Sequence, residues 1–129
     1  MAEVPSGDGF THAERQQIDK AIRDAEMVSR YEFSVFVGPA DGEPRAFAER
    51  LHSALVAPQR SVLLMVDPSS RVLEVVTGSE ARRELEDHEV RLAIIEMQSQ
   101  LALGDLVGGI IRGINMLAAY ARKPPTLHA

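Results

Sequence analysis

The 129-residue sequence contains no cysteine and no tryptophan. The first absence excludes disulfides, thiolate metal sites and cysteine nucleophiles, and it suits a reducing compartment. Lysine is nearly missing too, occurring only at Lys20 and Lys123, while arginine carries the rest of the 14 basic residues. That bias fits a bacterial coding sequence rich in G and C and concerns codons, not chemistry. Positive charge gathers nowhere. Nineteen acidic residues leave a net charge of −5 and the arginines alternate with acids, so no basic stripe awaits a nucleic acid. There is no long hydrophobic run either. The most apolar stretch, Leu106 to Ala119, is about six residues short of a bilayer span and carries Arg112, so no integral membrane segment is expected. Met1 to Asp8 offers neither the basic nor the apolar segment of an export signal, which points to a cytoplasmic protein.

What is present fits one domain, long enough to bury roughly two-thirds of its unfolded surface. Its centre is Ser61-Val62-Leu63-Leu64-Met65-Val66-Asp67, apolar at five consecutive positions and bounded by turn residues, which reads as a strand buried on both faces. Pro68-Ser69-Ser70 turns the chain, and Val72 to Thr77 returns beside that strand as a hairpin ending at Gly78. Upstream, Thr11 and Glu14 have capping-box spacing for a helix whose stripe is Ile18, Ile22, Ala25 and Val28. Tyr31 to Val37 alternates as a strand, and a second helix starts near Pro44 with Phe47, Leu51, Ala54 and Leu55 on its apolar face. Strand, helix and strand make a βαβ unit with a right-handed crossover and parallel strands. Downstream, Asp87 is placed to cap a helix with the stripe Val90, Ile94, Met97 and Leu101, which Gly104 stops. Asp105 then caps a last helix. The expected fold is α/β: a layered α/β/α domain with a small mixed sheet, made of the βαβ unit plus the β-hairpin, and a helical C-terminal half. Residues 10–122 form the domain, residues 1–9 a flexible leader and residues 123–129 a flexible tail.

The last helix contains Gly108, Gly109 and Gly113, each costing a helix interior about 1 kcal/mol relative to alanine. Val107, Ile110, Ile111, Ile114 and Leu117 share one side, with Gly108, Arg112, Met116 and Ala119 on the other and Gly109 near them. Two explanations stand. The glycines allow close packing on the preceding helix, or Gly108, Gly109, Arg112 and Met116 form a flat seam for a protein partner or a homodimer. His12, His52, His88 and His128 have no metal-ligand spacing and are expected at the surface. Ser61, Ser79 and Ser99 sit in no nucleophile elbow, and the glycines from Gly104 to Gly109 follow a helix where a phosphate loop would follow a strand.

The order of elements and several strings resemble the TPM-domain family, known from thylakoid-lumen and bacterial envelope proteins. The strings are Asp8-Gly9-Phe10-Thr11 with Glu14, Val62-Leu63-Leu64-Met65-Val66, Arg71-Val72-Leu73-Glu74-Val75-Val76-Thr77-Gly78, and Leu85-Glu86-Asp87 with Ile94-Ile95. Gly104-Asp105-Leu106-Val107-Gly108-Gly109-Ile110 with Gly113-Ile114 completes them. The resemblance implies acid phosphatase activity, divalent cation binding, or an accessory role for membrane complexes. Family members are typically exported and tethered, so this chain reads as a soluble relative. Asp8, Asp87 and Asp105 match the family pattern, and Asp67 lies where a strand ends and a ligand crevice often opens. An oxygen-only set of these four would suit Ca²⁺ or Mg²⁺. The same residues also read as caps and a turn.

Two functions from different classes follow. One is a non-catalytic binding or accessory domain acting through protein–protein contacts. The other is a divalent-cation-dependent phosphatase. The sequence favours the first, because phosphoryl transfer needs converging cations, and Arg71, Arg82 and Arg83 also suit solvated turns.

Overall fold

Every residue of the central strand, Ser61–Asp67, is buried in the computed structural model, which describes residues 9–122. In chain order the elements are α1 (His12–Ser29), β1 (Glu32–Val37), α2 (Pro44–Ser53), β2 (Ser61–Asp67), β3 (Val72–Thr77), α3 (Asp87–Ala102) and α4 (Leu106–Ala121). Single 3-10 turns at Pro58–Arg60 and Ala81–Arg83 lead into β2 and away from β3. The sheet order is β1-β2-β3, with β1 parallel and β3 antiparallel to β2. Leu64 lies beside Val35 on one side and Val75 on the other.

Strand side chains alternate between faces, so β2 needs two covers. Leu63 and Met65 join Val76 and Ala48 in a small core under α2, rimmed by Phe36, Phe47 and Leu51. Val62, Leu64 and Val66 join Phe33, Val35 and Val75 in a larger core under α1, α3 and α4. The layers are therefore α/β/α with one helix on one face and three on the other.

At the start of α1, Thr11 Oγ1 accepts from the Glu14 N–H at 3.1 Å while Thr11 N–H donates to Glu14 Oε1 at 2.8 Å. Its buried stripe differs from the expected one at the C-terminal end. Val28 is left 47% exposed and Ser29 is buried instead. The cause is Arg30, which ends the helix in the left-handed region at φ 69° and leaves a backbone group to satisfy. Ser29 does so, donating to the Ala25 carbonyl at 2.7 Å and accepting from the Tyr31 N–H at 3.1 Å.

The cap of α3 is also one residue earlier than expected. Glu86 holds the N-cap position and its N–H donates to Glu89 Oε1 at 3.0 Å, so Asp87 becomes the first helical residue. Glu89 can reach back three residues to Glu86, which fixes the boundary there. At α4, Asp105 Oδ1 accepts from the Gly108 N–H at 2.9 Å, as the sequence suggested. A β-carbon on Gly113 would lie 2.2 Å from Met97 Sδ, and one on Gly109 would lie 3.2 Å from Gln100 Cβ. These two glycines bring α4 against α3 within the monomer.

A different constraint applies at Gly78, where a β-carbon would lie 2.0 Å from the Pro58 carbonyl oxygen. Backbone there packs on backbone, and Gly78 N–H also donates to the Ser61 carbonyl at 2.9 Å. Gly78→Ala should destabilise the fold by about 2–3 kcal/mol, measured by chemical denaturation, because neither partner can swing away. Native-state hydrogen exchange should find the amides of Val62 to Val66 among the slowest, as befits strand bonds shielded on all sides.

A candidate binding cleft at the end of the central strand

The last residue of β2, Asp67, carries a carboxylate into the interior. It is 4% exposed. Its Oδ2 accepts from the Ala40 N–H at 3.0 Å, and its Oδ1 accepts from the Ser69 hydroxyl at 2.9 Å and the Ser70 N–H at 3.4 Å. The loop after β1 and the β2–β3 turn are thus tied to one side chain. The Ala40 N–H, helped by Ser69 and Ser70, holds this carboxyl below its ordinary range against the opposing effect of burial. At neutral pH it is an anion and an acceptor.

Arg71 closes the turn. Its N–H donates to the Pro68 carbonyl at 3.3 Å and its backbone sits at φ 56°, a left-handed conformation that glycine adopts freely and arginine does not. Beyond the turn lies the α3–α4 junction, where Gly104 reverses the chain at φ 82°. Between hairpin and junction runs a half-open cleft of about 500 Å³. Leu73, Leu101 and Leu106 supply its apolar wall, while Asp67, Arg71 and Gln98 supply its polar groups. Arg71 is exposed and makes no ion pair among the described residues, so its charge is available to a ligand.

The four carboxylates singled out in the sequence are not all gathered here. Asp67 lines the cleft, and Asp105 lies between two residues that do, Gly104 and Leu106. Asp87 starts α3, whereas the cleft touches the other end of that helix, about 20 Å away along its axis. Asp8 lies outside the described residues. Among the described residues no three His, Asp or Glu side chains converge as a metal-binding group.

On α4, Gly109 is buried against α3, Gly108 packs at the Asp105 cap, and Met116 packs partly against the core. Arg112 reaches across to α3, with Nε 2.6 Å from Glu96 Oε2. Arg82 covers the sheet edge by donating to the Thr77 carbonyl at 2.6 Å. His52 corrects the expectation that all histidines are at the surface. It is buried in α2 with Nε2 2.9 Å from the Ser61 carbonyl, where it satisfies a backbone oxygen at the start of β2. His12 and His88 are exposed, and His128 lies outside the described residues. Among the described residues no helix is long and apolar enough to cross a membrane.

Sequence reasoning found Asp67 but not the wall facing it. Gln98 and Leu101 belong to a helix distant in sequence, and only the packing of α3 on the sheet brings them to the hairpin. The available signal was Arg71 itself, in a turn position where glycine, asparagine or aspartate is usual.

The sequence profile described as "Domain of unknown function (DUF5130)" matches residues 1–118. The chain belongs to the DUF5130 family. It is similar to the uncharacterized protein Rv2468c of Mycobacterium tuberculosis, at 27% identity over 110 residues, which is 85% of this chain and 66% of that protein. The chain thus spans just under two thirds of the relative's length. In structure it resembles the BA42 protein of Bizionia argentinensis, with a TM-score of 0.81 at 20% identity, covering 91% of this chain and 84% of that one. It also resembles the N-terminal domain of cg2496 protein from Corynebacterium glutamicum, with a TM-score of 0.79 at 14% identity, covering 97% and 82%. At such identities the two solved structures share the fold with this DUF5130 chain.

The depressed Asp67 carboxyl has a consequence for stability. A group with a lowered folded-state pKa stabilises the fold above its unfolded value and ceases to do so as pH falls through the folded value. The Asp67 contribution should therefore be complete above about pH 4 and decline in more acidic solution. Asp67→Asn should cost about 2 kcal/mol at neutral pH, because charge-assisted bonds from two loops are weakened. It should also flatten the acid limb of the melting-temperature profile. An identical acid limb in the variant would show that other carboxylates set it.

Proposed function

We propose that this domain is a non-catalytic binding or accessory module of the TPM-like type, acting through protein–protein contacts, with the cleft beside Asp67 as its recognition site. The observation that carries this reading is the make-up of the cleft: an apolar wall of leucines faced by one uncommitted guanidinium and one amide. Such a surface suits an acidic side chain or chain terminus flanked by apolar residues. Asp67 is engaged by its own chain through both oxygens, which makes it a brace for the cleft floor. Held as an anion, it is a poor proton donor near neutral pH.

A second reading draws on the same two residues. An ionised carboxylate and an arginine in one cleft also suit the divalent-cation-dependent phosphatase attributed to some TPM relatives. Asp67, with Asp105 nearby, would hold Mg²⁺ or Ca²⁺, and Arg71 would meet the phosphate. A bound cation would supply charge neutralisation to the phosphoryl oxygens.

Panning a random peptide library against the chain distinguishes the two. The binding reading expects peptides with an acidic residue next to apolar ones, and Arg71→Glu should weaken their binding about tenfold or more while the melting temperature holds. In parallel, p-nitrophenyl phosphate should show no turnover with Mg²⁺, Mn²⁺ or Ca²⁺ between acid and neutral pH. Turnover that Asp67→Asn removes would overturn the binding reading in favour of the phosphatase.

A further inference from the structure

The outward face of α3 carries a stripe, apolar at its centre in Leu92 and Ile95, that the monomer leaves in water. His88, Leu92, Ile95, Ser99 and Ala102 are all exposed. Their spacings of four, three, four and three residues are the a/d alternation of a two-helix seam. Leu92 is 47% exposed, Ile95 58%, and Leu103, one step to the side, 79%. Nothing in the folding of the monomer calls for these side chains, since the inner face of α3 buries Ala93 and Met97. They depart from the usual pattern of a surface helix, which turns polar residues outward.

The flanks of the stripe carry opposite charges. With Leu92 at position a and Ile95 at d, Arg91 falls at g on one side and Glu96 at e on the other. Arg91 is exposed and makes no ion pair among the described residues. Glu96 is held in place by Arg112.

We propose that this face is a self-association surface whose partner is a second copy of the chain, with the two α3 helices docked in parallel about a two-fold axis. Charge selects both the partner and the direction. In parallel pairing the g position of one helix meets the e position five residues on in the other, so Arg91 of each copy faces Glu96 of the other, twice over. Glu96 then lies between its own Arg112 and the other copy's Arg91. Antiparallel pairing of Leu92 on Ile95 sets Glu96 of each copy opposite Glu89 of the other and leaves Arg91 opposite Gln98, which is unfavourable. Leu92 and Ile95 meet their own counterparts at the centre. The seam is short, so the contact belongs with small, transient interfaces and forms at elevated concentration. Its C-terminal end, at Gln98 and Ala102, borders the cleft, while its centre at Leu92 and Ile95 lies outside the cleft lining.

The absence of cysteine makes a direct test available, because a single Ser99→Cys substitution introduces a unique thiol that parallel pairing places opposite itself. In sedimentation equilibrium the average mass of the unmodified chain should rise from 14.1 kDa towards twice that value with concentration. Ile95→Asp should hold it at the single-chain mass with an unchanged far-UV spectrum, and Arg91→Glu should weaken association about tenfold or more. Ser99→Cys should oxidise to a covalent dimer in a glutathione buffer, whereas His12→Cys, exposed on α1, should not. A single-chain mass at every concentration, or association insensitive to Ile95→Asp, overturns the proposal. So does association without the Ser99→Cys crosslink, or its loss in Arg71→Glu, which would move the contact to the cleft.

Discussion

The structure depends on keeping β2 dry. A strand with no exposed residue cannot take water on either face or along either edge, so two strands must hydrogen-bond it and two layers of helix must cover it. One helix covers the side of Leu63 and Met65, where the core is a small cluster with Ala48 and Val76. Three helices cover the other, where Phe33, Val35, Val62, Leu64, Val66 and Val75 meet α1, α3 and α4 in the larger core. The same demand reaches the strand ends. Ser61 and Asp67 are polar yet buried, and both are satisfied: the Ser61 hydroxyl donates to the Ala57 carbonyl while its own carbonyl meets His52 and Gly78, and Asp67 accepts from Ala40 and the Ser69-Ser70 turn. The cleft therefore follows from the strand. Its floor is the carboxylate that ends β2, fixed by the bonds that burial requires of it.

The pairing of α3 with α4 meets a second demand, covering the sheet with helices close enough to exclude water. Gly109 and Gly113 each weaken α4 by about 1 kcal/mol relative to alanine. In return Met97 lies fully buried where β-carbons would otherwise stand, and the helices approach more closely than two ordinary surfaces allow. A flexible thioether suits that irregular space better than a branched side chain. The inner face of α3 is filled by Ala93 and Met97, with Val90, Ile94 and Leu101 packed beside them on the core. Leu92 and Ile95 lie on the outside.

Much of this was legible in the sequence for identifiable reasons. The five-residue apolar run fixed β2, the period-two pattern fixed β1, and Pro68-Ser69-Ser70 fixed the hairpin, since each signal is local and has one physical meaning. Helices α1 and α4 announced themselves through Thr11 with Glu14 and through Asp105. The differences have two causes. Ser29 in place of Val28, and a buried His52, arise because each polar side chain answers a backbone atom whose position is set by a turn or a neighbouring strand. The cap at Glu86 in place of Asp87 is local, set by Glu89 three residues on. Asp67 was legible as a strand-end residue. The leucine wall opposite it was not, because no pattern within α3 says which turn of the helix will face the hairpin.

The likeness to solved structures at 14% and 20% identity has the same explanation. A dry central strand, a capped helix at each flank and small residues between α3 and α4 specify the fold through burial and spacing, and many sequences satisfy them. Residues outside those requirements carry what is particular to a chain. Arg71 is one, since its left-handed backbone costs about 1–2 kcal/mol that glycine would not incur, and it makes no ion pair among the described residues to offset that cost. Leu92 and Ile95 are others, since they hold apolar surface in water without adding to the core. A fold that tolerates such residues without needing them leaves them to be explained by contacts outside the monomer. Function should therefore be sought at the cleft and on the outer face of α3, and not among the residues that make the fold recognisable.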